Sequence, residues 1–385
     1  MMKPVYDFDL RDARIRTFTV RNLGHLDWFI VGFVFSLAAI GLATLHSASM
    51  SGLQAAPRYD LRQAVWLCVG LIAAGAIICT DHRFMLSLAP LMYVGALALL
   101  TVVLILGIEA RGGQSWLRLG PFRFQPSEVA KIALVYMLAW YFTKAGRRIR
   151  KLRFLLLAFA IAAMPCLFVV KQNDLGTALT FLPVVFAMLF VAGCRRRHLF
   201  LVALLGAVSL YAAWPHLKEH HRERVLAFID PAREQPKGKD YRYHQIQSKI
   251  TVGSGRMKGK GFGQGTQTHL NYLPEYHTDF IFSLLAEEGG FIGAALVVGL
   301  FMALLLRALA LARTCPEPSG SLVIAGCVTV LAVHAFANIA ITIGLMPVIG
   351  LPLPFLSYGG SFYLTTMMCV GAVLNAPIRK GYFTG

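Results

Sequence analysis

Apolar residues run along this chain in long blocks, with the polar residues gathered between them. A helix needs about 20 apolar residues to cross a hydrocarbon layer about 30 Å thick. Blocks of that kind fall near 28–47, 63–80, 84–107, 127–143, 154–171, 175–194, 198–216, 279–306, 320–345 and 357–377. Residues 318–378 contain no Asp, Glu, Lys or Arg, and Pro347, Pro352 and Pro354 divide that run into its two spans. The one long polar stretch is 217–278. The pattern predicts an all-α polytopic membrane protein with ten transmembrane helices, one large extracytoplasmic loop and both termini cytoplasmic. Its expected parts are a tail over 1–27, a membrane domain over 28–377 that includes the loop, and a second tail over 378–385. The first apolar block does not read as a signal peptide. It follows a charged tail and exceeds the usual 7–15 residues of such a segment, despite Ser47-Ala48-Ser49 behind it.

Composition agrees. Of 385 residues 57% are apolar and 15% charged, and the mean hydropathy is +0.61. A soluble domain averages about 45–50% and about 25%, so disorder is excluded and the composition argues against a soluble fold. The net charge of +18 is no nucleic-acid footprint, because the bases sort by membrane side. Nineteen Lys and Arg lie in the tails and in the short loops around Arg83, 144–153, 195–197 and 307–313. Only five, Arg58, Arg62, Arg111, Arg118 and Arg123, lie in the short loops opposite. That bias places the richer side in the cytoplasm. The stretch 217–278 holds 11 bases and 6 acids on the outer side, which a loop of this length permits. Such a loop suits either anionic headgroups or an anionic, phosphate-bearing substrate. The seven cysteines are odd in number and form no CxxC, so neither a disulfide framework nor a zinc site is expected. All seven read as small apolar residues packed among helices. No direct or inverted repeat is visible, which counts against the common transporter architectures.

Charges inside spans are costly and are functional candidates by default. They cluster at the outer ends of the helices. Glu128 and Lys131 follow Gln125-Pro126-Ser127 at i,i+3 spacing, on one face. Lys171 closes one span and Asp174 opens the next. Asp279 opens the eighth, with Glu287 and Glu288 further in. A carboxylate at a helix N-terminus gains about 0.3–1 kcal/mol from the dipole alone, and capping accounts for Asp174 as readily as function does. Capping does not explain a lysine one turn below Glu128. For Asp279 a general base is the sharper reading, beside cations that face a phosphate. Glu287 and Glu288 read as interhelical hydrogen-bonding groups. The glycine-rich stretch Gly253 to Gly263 fails the Walker pattern; a flexible loop whose Lys258, Lys260 and amides approach phosphate is the most it supports. His216, His220, His221, His244, His269 and His277 show no metal spacing and read as loop residues.

These residues carry a resemblance. Trp116-Leu-Arg-Leu-Gly120, Gln125-Pro-Ser-Glu-Val-Ala-Lys131, Lys171-Gln-Asn-Asp-Leu-Gly-Thr177, Arg224-Val through Asp230-Pro and Tyr243-His-Gln-Ile-Gln-Ser-Lys249 come first. Gly253-Ser-Gly, Lys258 to Phe262, Gly265-Thr-Gln267, Leu273 to Phe282 and Pro347 to Ser361 complete the set. Together they resemble the SEDS family, and within it the RodA branch more than the FtsW branch. Asn173 departs from a position where the family usually has proline.

The resemblance implies a multi-pass protein of the bacterial cytoplasmic (inner) membrane that polymerises lipid II into peptidoglycan glycan strands during cell elongation and rod-shape maintenance. It implies a site facing the periplasm and a class B penicillin-binding protein as crosslinking partner, with membrane lipid but no nucleic acid among its partners. The family's essential aspartate falls on Asp279 and its Glu…Lys pair on Glu128 and Lys131, the catalytic candidates. Asp174, Arg224, Lys249, Glu275, Lys258, Trp116 and Ser357 are the substrate-binding candidates. No protein metal site is expected and no cofactor is certain; a divalent cation, Mg or Mn, on the pyrophosphate is left open. The rival is a flippase or transporter of the same precursor, which should carry polar groups through the midplane.

Overall fold

The computed structural model describes residues 26–50, 58–110, 113–120, 122–216, 219–230, 241–270, 272–273 and 275–377. The expected tails, apart from Leu26 and Asp27, and the middle of the long loop lie outside the described residues.

Each of the ten apolar blocks is helical. In chain order come α1 (Trp28–Ser49), α2 (Tyr59–Cys79), a short α3 (His82–Ser87) and α4 (Ala89–Leu106). After an interruption come α5 (Pro126–Ala145), α6 (Leu152–Lys171), α7 (Leu175–Val191) and α8 (Arg196–Ala213). The long polar stretch contains α9 (Glu219–Ile229), α10 (Tyr241–Ser254) and the one-turn α11 (Thr266–His269). The chain then returns through α12 (Ile281–Thr314), α13 (Pro318–Thr342) and α14 (Gly360–Asn375). Among the described residues, α1, α2, α4, α6, α12 and α13 are long and apolar enough to cross a membrane.

The all-α expectation needs one correction. Between α4 and α5 lies an antiparallel sheet of β1 (Ile108–Ala110), β2 (Gly113–Leu119) and β3 (Phe122–Phe124), in the order β1-β2-β3. Leu117-Arg118-Leu119 and Phe122-Arg123-Phe124 each alternate apolar and polar, the period of a half-buried strand. Gly120, at φ 61°, supplies the left-handed position of the turn that pairs Leu119 with Phe122.

The core is built around α13 and α5. In α13, 72% of the most apolar 18 residues are buried, against 22% in α2 and in α12. A buried strip of α5 from Ile132 to Ala139, interrupted only at Met137, packs with α13 and α14. Many large apolar side chains face outward instead, Ile72, Ile105 and Phe200 among them, as a lipid solvent allows. The seven cysteines are free thiols, but Cys68 and Cys79 are exposed rather than packed.

Polar contacts mark two ends of the bundle. At one, Arg307 donates to Asp27 at 2.8 Å and Arg83 pairs with Glu317 at 2.8 Å. The short loops richest in bases lie there. At the other, the Gln114 amide donates to Gln172 at 3.1 Å, and the Tyr358 amide to His277 at 2.9 Å. The predicted site residues gather there. The α6–α7 turn at this end explains the family departure. Asn173 sits at φ 62° while the Asp174 amide reaches back to the Val169 carbonyl at 3.2 Å, a helix stop that needs a left-handed residue. Proline, fixed near −65°, cannot adopt that conformation.

α12 is broken at Gly290, where φ is 64° and ψ −165°. The glycine-rich stretch fills the break. Lys260 and Gly261 donate their amides to the Glu287 and Glu288 carbonyls at 3.0 and 3.1 Å. In return the Phe291 and Ile292 amides donate to Arg256 and Met257 at 2.8 and 3.2 Å. This corrects the flexible phosphate loop. A Cβ on Gly255 or Gly259 would collide with the Ala286 or Glu288 carbonyl, so the glycines permit backbone to lie on backbone.

Candidate active site

Asp279 stands in the turn before α12. The helix opens at Ile281 and its N-cap position belongs to Phe280, so Asp279 sits one residue before the cap. The turn is pinned from three sides. Asn338, on α13, donates Nδ2 to the Asp279 carbonyl at 2.8 Å and to the Leu351 carbonyl at 2.7 Å. Ser357 donates to the Thr278 carbonyl at 2.6 Å and receives the Leu353 amide at 2.8 Å. Glu275, itself at φ 53°, accepts the Thr278 and Phe280 amides at 3.1 and 3.4 Å. A Cβ on Gly350 would lie 3.6 Å from Asp279 Oδ2, so the carboxylate rests against that backbone. The side chain is half-buried, and a rigid frame holds the acid at a solvent boundary.

The second part is a buried charge cluster. Proline at the first position starts α5 with Glu128 in its first turn. Lys131 donates to Glu128 Oε1 at 2.8 Å, and both are almost wholly buried. The Lys131 ammonium also lies 2.8 Å from His334 Nε2, on α13. A lysine has no lone pair to give, so His334 accepts, which fixes its proton on Nδ1. The His334 ring packs against Phe362 with centroids 4.5 Å apart. His334 and Asn338 lie one turn apart on α13, so one helix face grips both the charge pair and the Asp279 turn. Sequence reasoning missed both residues.

Gln125 ties the charge cluster to α7 and to the start of α14. It donates Nε2 to Asp174 Oδ2 at 2.9 Å, its amide donates to Ser361 at 3.0 Å, and its carbonyl receives the Glu128 amide at 3.1 Å. Asp174 caps α7 with its other oxygen, accepting the Thr177 amide at 3.0 Å.

The remaining candidates divide. Glu275 is on the Asp279 turn, and Ser357 is buried beneath it as a brace. Lys249, on α10, is exposed and lies across Gly344, just past α13. Arg224 is half-buried on α9. Trp116 is half-buried on β2 opposite Ile108. Lys258 is exposed in the stretch that fills the α12 break, where a cavity of about 770 Å³ is lined by Ser254 to Lys260. Glu287 pairs with Lys260 at 2.5 Å and receives the Gln267 amide at 3.0 Å, while Glu288 accepts from Ser47 of α1. Those two acids hold the α12 break together. Among the described residues no three His, Cys, Asp or Glu side chains converge to hold a metal ion.

Known proteins align with nearly the whole chain. The family model FTSW_RODA_SPOVE, described as "Cell cycle protein", matches residues 27–381. A "Probable peptidoglycan glycosyltransferase FtsW" from Geobacter sulfurreducens is 34% identical over 369 residues, 94% of this chain and 97% of that protein. The "Peptidoglycan glycosyltransferase MrdB" of Escherichia coli K12 is 37% identical over 313 residues, 80% of this chain and 84% of its own. A chain from a structure described as "Structural coordination of polymerization and crosslinking by a peptidoglycan synthase complex" superposes with a TM-score of 0.78 at 34% identity, covering 93% and 99%. The Thermus thermophilus rod shape determining protein RodA gives 0.68 at 32%, covering 91% and 95%. The chain belongs to the FtsW/RodA/SpoVE family.

Proposed function

We propose that this chain is a peptidoglycan glycosyltransferase of the bacterial inner membrane, which polymerises lipid II with Asp279 as general base. The observation that carries the reading is the frame around Asp279: a half-buried acid one residue before the α12 cap, in a turn held by Asn338, Ser357 and Glu275. The names of the relatives support the chemistry, and the base-rich opposite end supports ten spans with the site facing outward.

In the reaction an acceptor sugar hydroxyl attacks the anomeric carbon of the donor. The bond from that carbon to the lipid pyrophosphate breaks, and its electron pair leaves on the pyrophosphate. The hydroxyl proton passes to Asp279, a role worth roughly 10²–10⁴-fold. Lys131 is 1% exposed and engaged, so it does not clamp the leaving group directly; with Glu128 and His334 it fixes the floor of the site. Exposed Lys249 and half-buried Arg224 are the cations that meet the pyrophosphate, with Lys258 further out. A divalent cation would need pyrophosphate oxygens among its ligands, and no step here uses one.

Rod-shape elongation and a class B penicillin-binding protein partner complete the proposal. Relatives bearing both the FtsW and MrdB names match at similar identity, so the branch rests on the RodA-like Gly265-Thr-Gln267 and His277-Thr-Asp-Phe-Ile-Phe282. The polymerising and crosslinking complex among the structural neighbours supports such a partner. The test is purified protein with fluorescent lipid II, with and without the partner, scored for glycan strands on a gel. Lipid II carried across a vesicle membrane with no strand formed would replace this reading by the flippase.

A further inference from the structure

Four aromatic rings from three separate segments converge beside Asp279. Tyr59 opens α2, Tyr276 and His277 lie in the turn before Asp279, and Tyr358 precedes α14. Tyr59 and His277 stack with centroids 4.2 Å apart at an interplanar angle of 14°. Tyr358 leans on both, 5.1 Å from Tyr59 and 6.2 Å from His277, while Tyr276 meets His277 at 5.5 Å and 80°. All four are half-buried, not enclosed. Glu275 lies 3.8 Å from His277 with its side chain 41% exposed, so carboxylates flank the rings at both ends of the turn.

A membrane-interface belt would also place tyrosines at helix ends, but belt residues spread around the circumference, each toward lipid. These rings face one another and are fastened to the Asp279 turn, the Tyr358 amide donating to the His277 carbonyl at 2.9 Å. Half-open aromatic surface with a few polar groups at its rim is the makeup of a small-ligand site. The electron-rich face of an aromatic ring attracts the polarised C–H bonds on the flat side of a pyranose, while carboxylates at the rim take its hydroxyls and amide.

We infer that Tyr59, Tyr276, His277 and Tyr358 form a sugar-binding platform that seats a pyranose ring of the glycan substrate against the base. This rests on the proposed glycosyl transfer and adds where the sugar lies. Two measurements test it on the full-length protein in nanodiscs. The first is saturation-transfer NMR with soluble N-acetylglucosamine–N-acetylmuramic acid disaccharide. Wild type should transfer magnetisation to ring protons of one sugar face, and Tyr59→Leu and Tyr358→Leu should lose most of it. The second is lipid II kinetics: each Leu variant should raise KM roughly three- to tenfold, the worth of one aromatic contact, with kcat largely kept, and Tyr59→Phe should stay within about twofold of wild type. Unchanged transfer and unchanged KM in well-folded Leu variants would overturn the platform and leave the enzyme reading standing. Transfer to disaccharide without any lipid II turnover would keep the sugar site and remove the polymerase. If a Leu variant fails to fold, Tyr59→Phe and Tyr59→Trp carry the test, since loss of binding in either, with the fold intact, contradicts a stacking surface.

Discussion

Asp279→Asn separates chemistry from architecture more cleanly than any other single change. Asparagine has nearly the shape of aspartate, and the hydrogen bonds that pin the turn run to the backbone carbonyls of Asp279 and Thr278. The frame is therefore untouched. Because the turn is pinned through these backbone carbonyls, Asp279→Asn should stay within about 0.5 kcal/mol of wild type in stability. The rate should behave differently. Losing a general base costs roughly 10²–10⁴-fold, which at about 1.36 kcal/mol per tenfold is about 2.7–5.4 kcal/mol of barrier. Asp279→Glu keeps the acid but pushes it toward Gly350, whose Cβ position is 3.6 Å from Oδ2; a displacement of about 1 Å costs about 10²-fold. The assay is initial-rate strand formation from saturating lipid II, paired with thermal unfolding of each variant. Asn at wild-type rate, or an Ala variant whose activity falls only in step with its stability, would refute the assignment.

Four further outcomes follow from the geometry. His334→Gln presents an acceptor to Lys131 and should keep most activity, whereas His334→Leu strands a buried donor at about 1–3 kcal/mol and should lower both kcat and the unfolding temperature; equal behaviour of the two would dismiss the His334 contact. Lys131→Met leaves the Glu128 carboxylate buried alone, at about 3–5 kcal/mol, and adding Glu128→Gln should recover much of that loss in unfolding experiments. Gly290→Ala forces alanine into a backbone region that essentially only glycine occupies, about 1–3 kcal/mol, and its Cβ would overlap the Gly259 amide, so residues 253–263 should become protease-sensitive; an unchanged digest would contradict the docked loop. With Cys68 and Cys79 replaced, Lys258→Cys should label with an impermeant thiol reagent from outside and Arg147→Cys should not, and the reverse result would invert the membrane orientation.

The spans were legible because lipid demands long apolar runs and little else competes with that signal. The Glu128–Lys131 pair was legible because i,i+3 spacing fixes a helix face. In sequence Asp279 is both a general-base candidate and a possible cap, because helix starts are uncertain by a residue or two. The sheet at 108–124 hid between two spans, its strands too short to outweigh the helical surroundings. His334 and Asn338 went unseen because their span was read for formal charge, which they lack; two polar residues one turn apart in an apolar helix were the available signal. The glycine-rich stretch was misread for a deeper reason. Its amides are consumed by carbonyls that only a broken helix exposes, and Gly289-Gly290 inside a span was the one hint of that break.

That break also sets how the protein meets bilayers of differing thickness. Below Gly290, residues 291–314 are 24 in number and at about 1.5 Å each extend about 36 Å, enough to cross a core of about 30 Å unaided. The nine helical residues above, 281–289, are fastened through Glu287 and Glu288 to residues 260–261 and to Ser47, and the first residues of the lower rod, Phe291 and Ile292, are fastened to Arg256 and Met257. Residues 256–261 therefore splint the break from both sides, and a thicker or thinner membrane is accommodated by tilting or bending the rod beyond Ile292. The Asp279 turn, pinned to α13 through Asn338 and braced by Ser357, is thereby set apart from that adjustment to lipid chain length.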